Sequence, residues 1–201
     1  MKRFTWTLAL AALAVAPSSA LAQTWEIDAA HTSVGFEVRH LFTKVAGKFN
    51  EVSGTIVFDP ANPAAASTEI TIPVAGIDTR NENRDNHLKS PDFFDAATYP
   101  SITFKSTKVE PAGKNKFKVT GDLTMHGVTK ATVLDVELLG AGPHPMMPGG
   151  QVAGFTATTT VDRKEFGISW NKALDNGGMV LGDEVNIKID VEAVQKPAAE
   201  K

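Results

Sequence analysis

From Ser33 to Val191 apolar and polar residues alternate with a period of two in segment after segment, which restricts the chain to strands with one oily face and one wet face. Val34, Phe36 and Val38 oppose Ser33, Gly35, Glu37 and Arg39, and Ile56 with Phe58 repeats the pattern. Ile70, Ile72 and Val74 follow, then Ile102 with Phe104, and then Phe117, Val119, Leu123 and Met125. Leu134, Val136 and Leu138 form a further row, as do Ala153, Phe155, Ala157 and Val161, and finally Val185, Ile187, Ile189 and Val191. About eight strands result. A set of antiparallel strands must hide its edges, and closure into a barrel does this without a second sheet. Gly35, Gly54, Gly121, Ala153 and Ala157 are small, so we expect interior volume left unfilled and a barrel with a cavity rather than a sandwich.

One stretch breaks the alternation. Between Asn83 and Ala97, Leu88 and Phe94 sit among charged residues, and we expect a short helical insertion. Asn83 is a suitable cap, Asp85 and Lys89 are spaced as an i,i+4 pair, and Ser90-Pro91 reads as a second helix start. Gly140 to Gly150 contains Pro143, Pro145 and Pro148 and reads as a long, mobile loop, either an ordinary connection or part of a cavity mouth. Lys196 to Lys201 reads as a disordered tail.

Residues 1–22 have the form of a signal peptide: Lys2 and Arg3, an apolar run from Phe4 to Ala16, and small residues at Ala20 and Ala22. The remaining segment, 23–201, suits one domain with a substantial core. It contains no further run long enough to span a bilayer as a helix. With Lys2 and Arg3 removed, the formal charge moves from −3 to −5, which argues against nucleic acid as a partner. Cysteine is absent, so disulfides, thiolate metal sites, thiol nucleophiles and a lipid-bearing cysteine are excluded. Export without cysteine points to a bacterial periplasm.

Signals for catalysis are weak. His31, His40, His87, His126 and His144 are the available imidazoles, and none has a recognised metal-ligand spacing. G-x-S-x-G does not occur, and the carboxylates Asp92, Asp95, Asp183 and Glu184 sit where turns put them. Two polar clusters interrupt the apolar rows, one from Asp78 through Arg84, Asp85 and His87 to Leu88, the other from Asp162 and Arg163 to Ile168. Each arginine offers a planar fork, suited either to a ligand head group or to bracing the barrel through Asp85, Asp122 or Asp162.

At these clusters the chain resembles the YceI family of bacterial periplasmic polyisoprenoid-binding proteins. The resemblance covers essentially the whole of segment 23–201. It rests on Trp25-x-Ile27-Asp28-x-x-His31 with Phe36 and His40, on Asp78-Thr79 with Arg84-Asp85-x-His87-Leu88, and on Asp92-Phe93-Phe94-Asp95. It continues through Tyr99-Pro100-x-Ile102-x-Phe104-x-Ser106, Gly121-Asp122-Leu123-Thr124-x-His126-Gly127-Val128-Thr129 and Arg163-x-x-Phe166-Gly167-Ile168. The resemblance implies an extended, lipocalin-like antiparallel barrel around a long isoprenoid or fatty-acyl ligand, often in a homodimer, and it implies no reaction and no cofactor.

Physical chemistry agrees with that implication. A nine-residue strand spans about 30 Å, long enough to line an extended chain, and each buried methylene contributes roughly 0.8 kcal/mol before ordering costs. Bulk and row position select Phe36, Val38, Ile56, Phe58, Ile70, Ile72, Phe104, Leu123, Met125, Phe155 and Trp170 as candidate cavity residues. His31, His40, Asp78, Arg84, Asp85, His87, Asp122, His126 and Arg163 are candidate mouth or bracing residues, and no metal site is expected. The competing readings are a barrel enzyme or metal protein built on His31, His40, His87 and His126, and a stress-associated interaction module with a solid core.

Overall fold

The structure, a computed structural model, describes residues 23–59, 62–175 and 177–195. The expected signal peptide and disordered tail lie outside the described residues.

The chain forms eleven strands in one antiparallel sheet among the described residues. They are β1 (Gln23–Ile27), β2 (Ser33–His40), β3 (Thr43–Phe49), β4 (Ser53–Phe58), β5 (Ser67–Pro73), β6 (Ile77–Asp78), β7 (Ser101–Gly113), β8 (Lys116–Met125), β9 (Val128–Pro143), β10 (Gln151–Asp162) and β11 (Leu181–Gln195). Eight of them close a barrel in the order β1-β4-β5-β7-β8-β9-β10-β11, with β1 returning to β11. The remaining three extend it. One edge of β11 pairs with β2 from Leu181 to Asp190 and with β1 at Ala193 and Val194. β1 and β2 therefore act as halves of one strand, interrupted by the turn from Asp28 to Thr32. β2 continues to β3 and then to β6, which follows β5 after the short helical turn Val74–Gly76.

Alternation assigned the faces correctly. Val34, Phe58, Ile72, Ile102, Phe104, Val119, Met125, Ala153, Phe155, Ala157 and Val161 are buried, while Glu37, Lys105, Lys118 and Lys188 are exposed. β1 and β3 escaped the pattern. In β3 the inward position opposite Phe36 is Gly47, flanked by Lys48 and the small Ala46, so the apolar row is interrupted.

Two glycines of the wall make room for aromatic rings. A side chain at Gly47 would collide with the Phe36 ring, and one at Gly121 with the Phe104 ring. Each ring lies against bare backbone, a common way of covering a strand glycine. At these two positions the space a side chain would fill is taken by a ring, while Gly35 lines the cavity itself.

The helical insertion is shorter and starts earlier than expected. α1 runs Glu82–Lys89, and the cap is Asn81, whose side chain accepts from the Arg84 backbone N at 3.0 Å. Asp85 accepts from Thr79 instead of pairing with Lys89, and the chain after Ser90 forms turns, not a second helix. Leu88, Phe93 and Phe94 from this insertion close over the core around Val34, Phe49 and Phe166.

The proline-rich loop is also shorter than expected. β9 runs to Pro143, with Gly140 opposite Gly154 and Pro143 opposite Gln151, because Pro143 is the terminal residue of the strand, where its missing N–H costs least. His144 to Gly150 closes on itself through His144 N–Gly150 O (3.0 Å) and Gly150 N–Met147 O (2.9 Å). This connection lies at the packed end of the barrel.

Arg163 ties the other end together. Buried to 5 % exposure, it donates from Nε to Gly182 O (2.9 Å), from Nη1 to Ile168 O (2.7 Å) and Trp170 O (2.9 Å), and from Nη2 to Asp183 (3.3 Å). It braces the barrel, but through carbonyls and Asp183 across the wall and not through Asp85, Asp122 or Asp162. Asp162 caps its own turn by accepting from Lys164 N. Burial lowers the Arg163 pKa, against the opposing effect of Asp183 and Asp162. Arg163→Leu should strand three carbonyls and lower unfolding stability by about 2–4 kcal/mol, read from the urea midpoint.

Candidate functional site: an apolar lumen

The strand rows enclose two adjoining cavities. The wider, of about 330 Å³, is lined by Phe36, Val38, His40, Leu123, Met125 and Trp170 among others. The narrower, of about 120 Å³, is lined by Ile56, Phe58, Phe117, Val136, Phe155 and Val191 among others. Val34, Ile70, Ile72, Phe104, Leu134 and Ile189 line both, so the two lobes adjoin across these six side chains. The wider lobe reaches solvent beside His87, which lines it with its side chain 41 % exposed. Below the narrower lobe, Trp25, Phe58, Ala153, Phe155 and Ala193 pack into the opposite end of the barrel. The wider lobe lies in the volume range of small-molecule sites.

All eleven candidate cavity residues line one lobe or the other. The additional lining residues that sequence rows did not single out include Leu88, Phe93 and Phe94 from the insertion, Val180 from a loop, Leu181 at the start of β11, and Val45 and Phe49 from β3. Leu88 and Phe94 were visible as apolar residues in a polar stretch. Val180 carried no periodic signal.

The polar candidates divide. His40, Arg84, His87 and Arg163 line the wider lobe, together with Thr79. His87 Nε2 lies 2.9 Å from Asp92 Oδ2, and its ring meets Phe93 and Trp170 edge-on, which fixes Trp170 at the open end. Asp78 instead accepts from Arg80 N in a local turn, Asp85 accepts from the Thr79 N and Oγ1, and Asp122 is exposed on the outer face of β8. His126 occupies the two-residue β8–β9 turn with Gly127, both at positive φ, as a type I′ turn requires. Its Nδ1 lies 3.0 Å from Phe166 O and its ring meets Tyr99, so it fastens the turn to the barrel end.

His31 stands apart, on the outer turn between β1 and β2. Its Nδ1 is 2.8 Å from Asp28 and 3.7 Å from Glu192. These three form the histidine–carboxylate trio with metal-ligand spacing among the described residues, and His40, His87 and His126 are in no such group. The four histidines therefore do not converge on one centre.

Similarity searches place this architecture. The YceI-like domain matches residues 25–193. The chain belongs to the YceI family. A UPF0312 protein of Vibrio cholerae is 40 % identical over 199 residues, spanning 98 % of this chain and 100 % of the relative. The crystal structure of Burkholderia cenocepacia BcnA superposes with a TM-score of 0.72 at 30 % identity, covering 83 % of this chain and 98 % of that one. A polyisoprenoid binding domain from Saccharophagus degradans, implicated in plant cell wall breakdown, shares the fold at 13 % identity, with a TM-score of 0.62 over 86 % of this chain and 98 % of that one. The YceI barrel is thus the frame on which the lumen described above is built.

The Asp28–His31 contact makes a pH-dependent prediction. The hydrogen bond with Asp28, followed by the charges of Asp28 and Glu192, raises the His31 pKa above its ordinary 6.5, and the same bond holds Asp28 below 3.8. A raised histidine contributes stability that is present below 6.5 and fades as pH rises through the folded-state value. A lowered aspartate contributes stability that is present above 3.8 and fades as pH falls. The pair therefore holds the turn most firmly between those two values. In an NMR titration His31 should titrate above 6.5, and Asp28→Asn should bring it down. A wild-type midpoint at or below 6.5 would show that the pair does not form.

Proposed function

We propose that this protein holds a long-chain amphiphile of the polyisoprenoid or fatty-acyl class inside its barrel and acts as a carrier or buffer for it, not as an enzyme. The observation that carries this reading is the pair of adjoining lobes, walled almost entirely by apolar side chains and open beside His87, which a chain-shaped ligand would join through a neck at the six shared side chains. Apolar cavities of this kind stay dry and gain free energy when hydrocarbon enters, about 0.8 kcal/mol per methylene. Family membership and the polyisoprenoid-binding role of the Saccharophagus domain on the same fold support the class of ligand.

The site lacks the features of a reaction centre. Among the described residues, neither imidazole that lines the lumen, His40 or His87, is hydrogen-bonded to a hydroxyl that could serve as a nucleophile. We further propose a periplasmic location, on the strength of residues 1–22. The exported form should begin at Gln23 in intact-mass measurement, and retention of Met1 in it would refute export by cleavage.

Organic extracts of protein purified without detergent should contain a stoichiometric long-chain lipid by mass spectrometry. A clean extract, with no uptake of polyprenol or isoprenoid quinone on titration, would remove the proposal. Leu134 lies in the neck between the lobes. Leu134→Trp should block the neck and weaken binding of chains long enough to occupy both lobes by at least about tenfold, while leaving chains of about eight carbons unaffected.

A further inference from the structure

Two arginines line the wider lobe, and their hydrogen bonding differs. Arg163 places four donor contacts on Gly182, Ile168, Trp170 and Asp183. Arg84 is held along one edge only: Nε donates to Thr79 Oγ1 and Nη2 to Thr79 O, each at 2.7 Å. Thr79 is itself 3 % exposed and fastened to Asp85 through its N and Oγ1, so the clamp on that edge is rigid. The opposite fork, one N–H from each terminal nitrogen, meets no acceptor among the described residues. Arg163 meets a carboxylate within 4.0 Å, and Arg84 meets none among the described residues.

We infer that this open fork of Arg84 receives the head of the bound amphiphile, and that the preferred head is an acid presenting two oxygens, a carboxylate or a phosphate. This rests on the lipid-holding function proposed above and specifies the end of the molecule that the apolar walls leave undetermined. A guanidinium fork matches two oxygens side by side, and charge-assisted bonds of this geometry are about twice as strong as neutral ones. The surrounding lining is apolar, which strengthens the contact further. His87 is less available because Asp92 engages its Nε2. Local structure supports the preorganisation: Asn81 caps the first turn of α1 by accepting from the Arg84 backbone, so both ends of the residue are anchored before a head group arrives.

The test uses delipidated full-length mature protein and three probes: hexadecanoate, hexadecanol of the same chain length, and inorganic phosphate alone. Calorimetric titration at pH 7.5 should show hexadecanoate binding at least about tenfold tighter than hexadecanol, with the preference shrinking as salt is raised. Arg84→Met should abolish that preference by weakening hexadecanoate far more than hexadecanol, and Arg84→Lys should restore part of it. Phosphate alone should neither bind measurably nor displace hexadecanoate. Equal binding of the two lipids by wild type would overturn the inference and leave lipid holding intact. An equal loss of both in Arg84→Met would assign Arg84 a structural role and also overturn it. Displacement by phosphate would show a free-anion site instead of a head-group site. Binding of neither lipid would overturn both this inference and the carrier function. Should Arg84→Met fail to fold, Arg84→Gln, which keeps a donor for Thr79, gives the same comparison.

Discussion

Closure of the barrel depends on one strand. β11 bonds to β10 from Glu184 to Gln195, and its other edge is shared between β1 and β2. Backbone N–H and C=O groups in a sheet must find partners, and an edge fifteen residues long would otherwise be exposed. Dividing that edge between two short strands extends the wall along the barrel axis. The lumen can then have two lobes, because one strand carries both the packed end at Ala193 and the open end at Leu181.

The same division explains where the polar residues sit. The β1–β2 interruption needs a turn, and Asp28 supplies it by accepting from Ala30 N while its other oxygen meets His31. Thr32 and Glu192 then exchange hydrogen bonds between the turn and β11. At the opposite end, the start of β11 is held by Arg163. Both polar sets stabilise the frame, and neither needs a ligand to be satisfied. Arg84 differs because it is fastened without being saturated.

An open lumen in a protein without disulfides is a compromise between packing and function. Ends packed around Phe166, Val74 and Ala193, all nearly inaccessible, carry stability, and the middle remains unfilled. Phe36 and Phe104 reconcile the two demands by lying against Gly47 and Gly121. Both rings remain part of the wall, and both line the cavity inside it.

The amino-acid sequence by itself determined which side chains face inward, since alternation is a local property of extended backbone and needs no knowledge of neighbouring strands. Ten of the eleven candidate cavity residues line the lumen for that reason, and Trp170, which lies outside the strands, was selected by its bulk. Cap and turn chemistry was only partly legible: the helix was expected from Asn83, whereas Asn81 caps it, and Pro143 ended a strand that had been read as loop. Which strands bond, how β11 serves two partners, and how Arg84 differs from Arg163 were decided by tertiary structure. Hydrogen-bond partners such as the Gly182 carbonyl lie far along the chain from Arg163, and local sequence carries no record of what the fold brings within three ångströms.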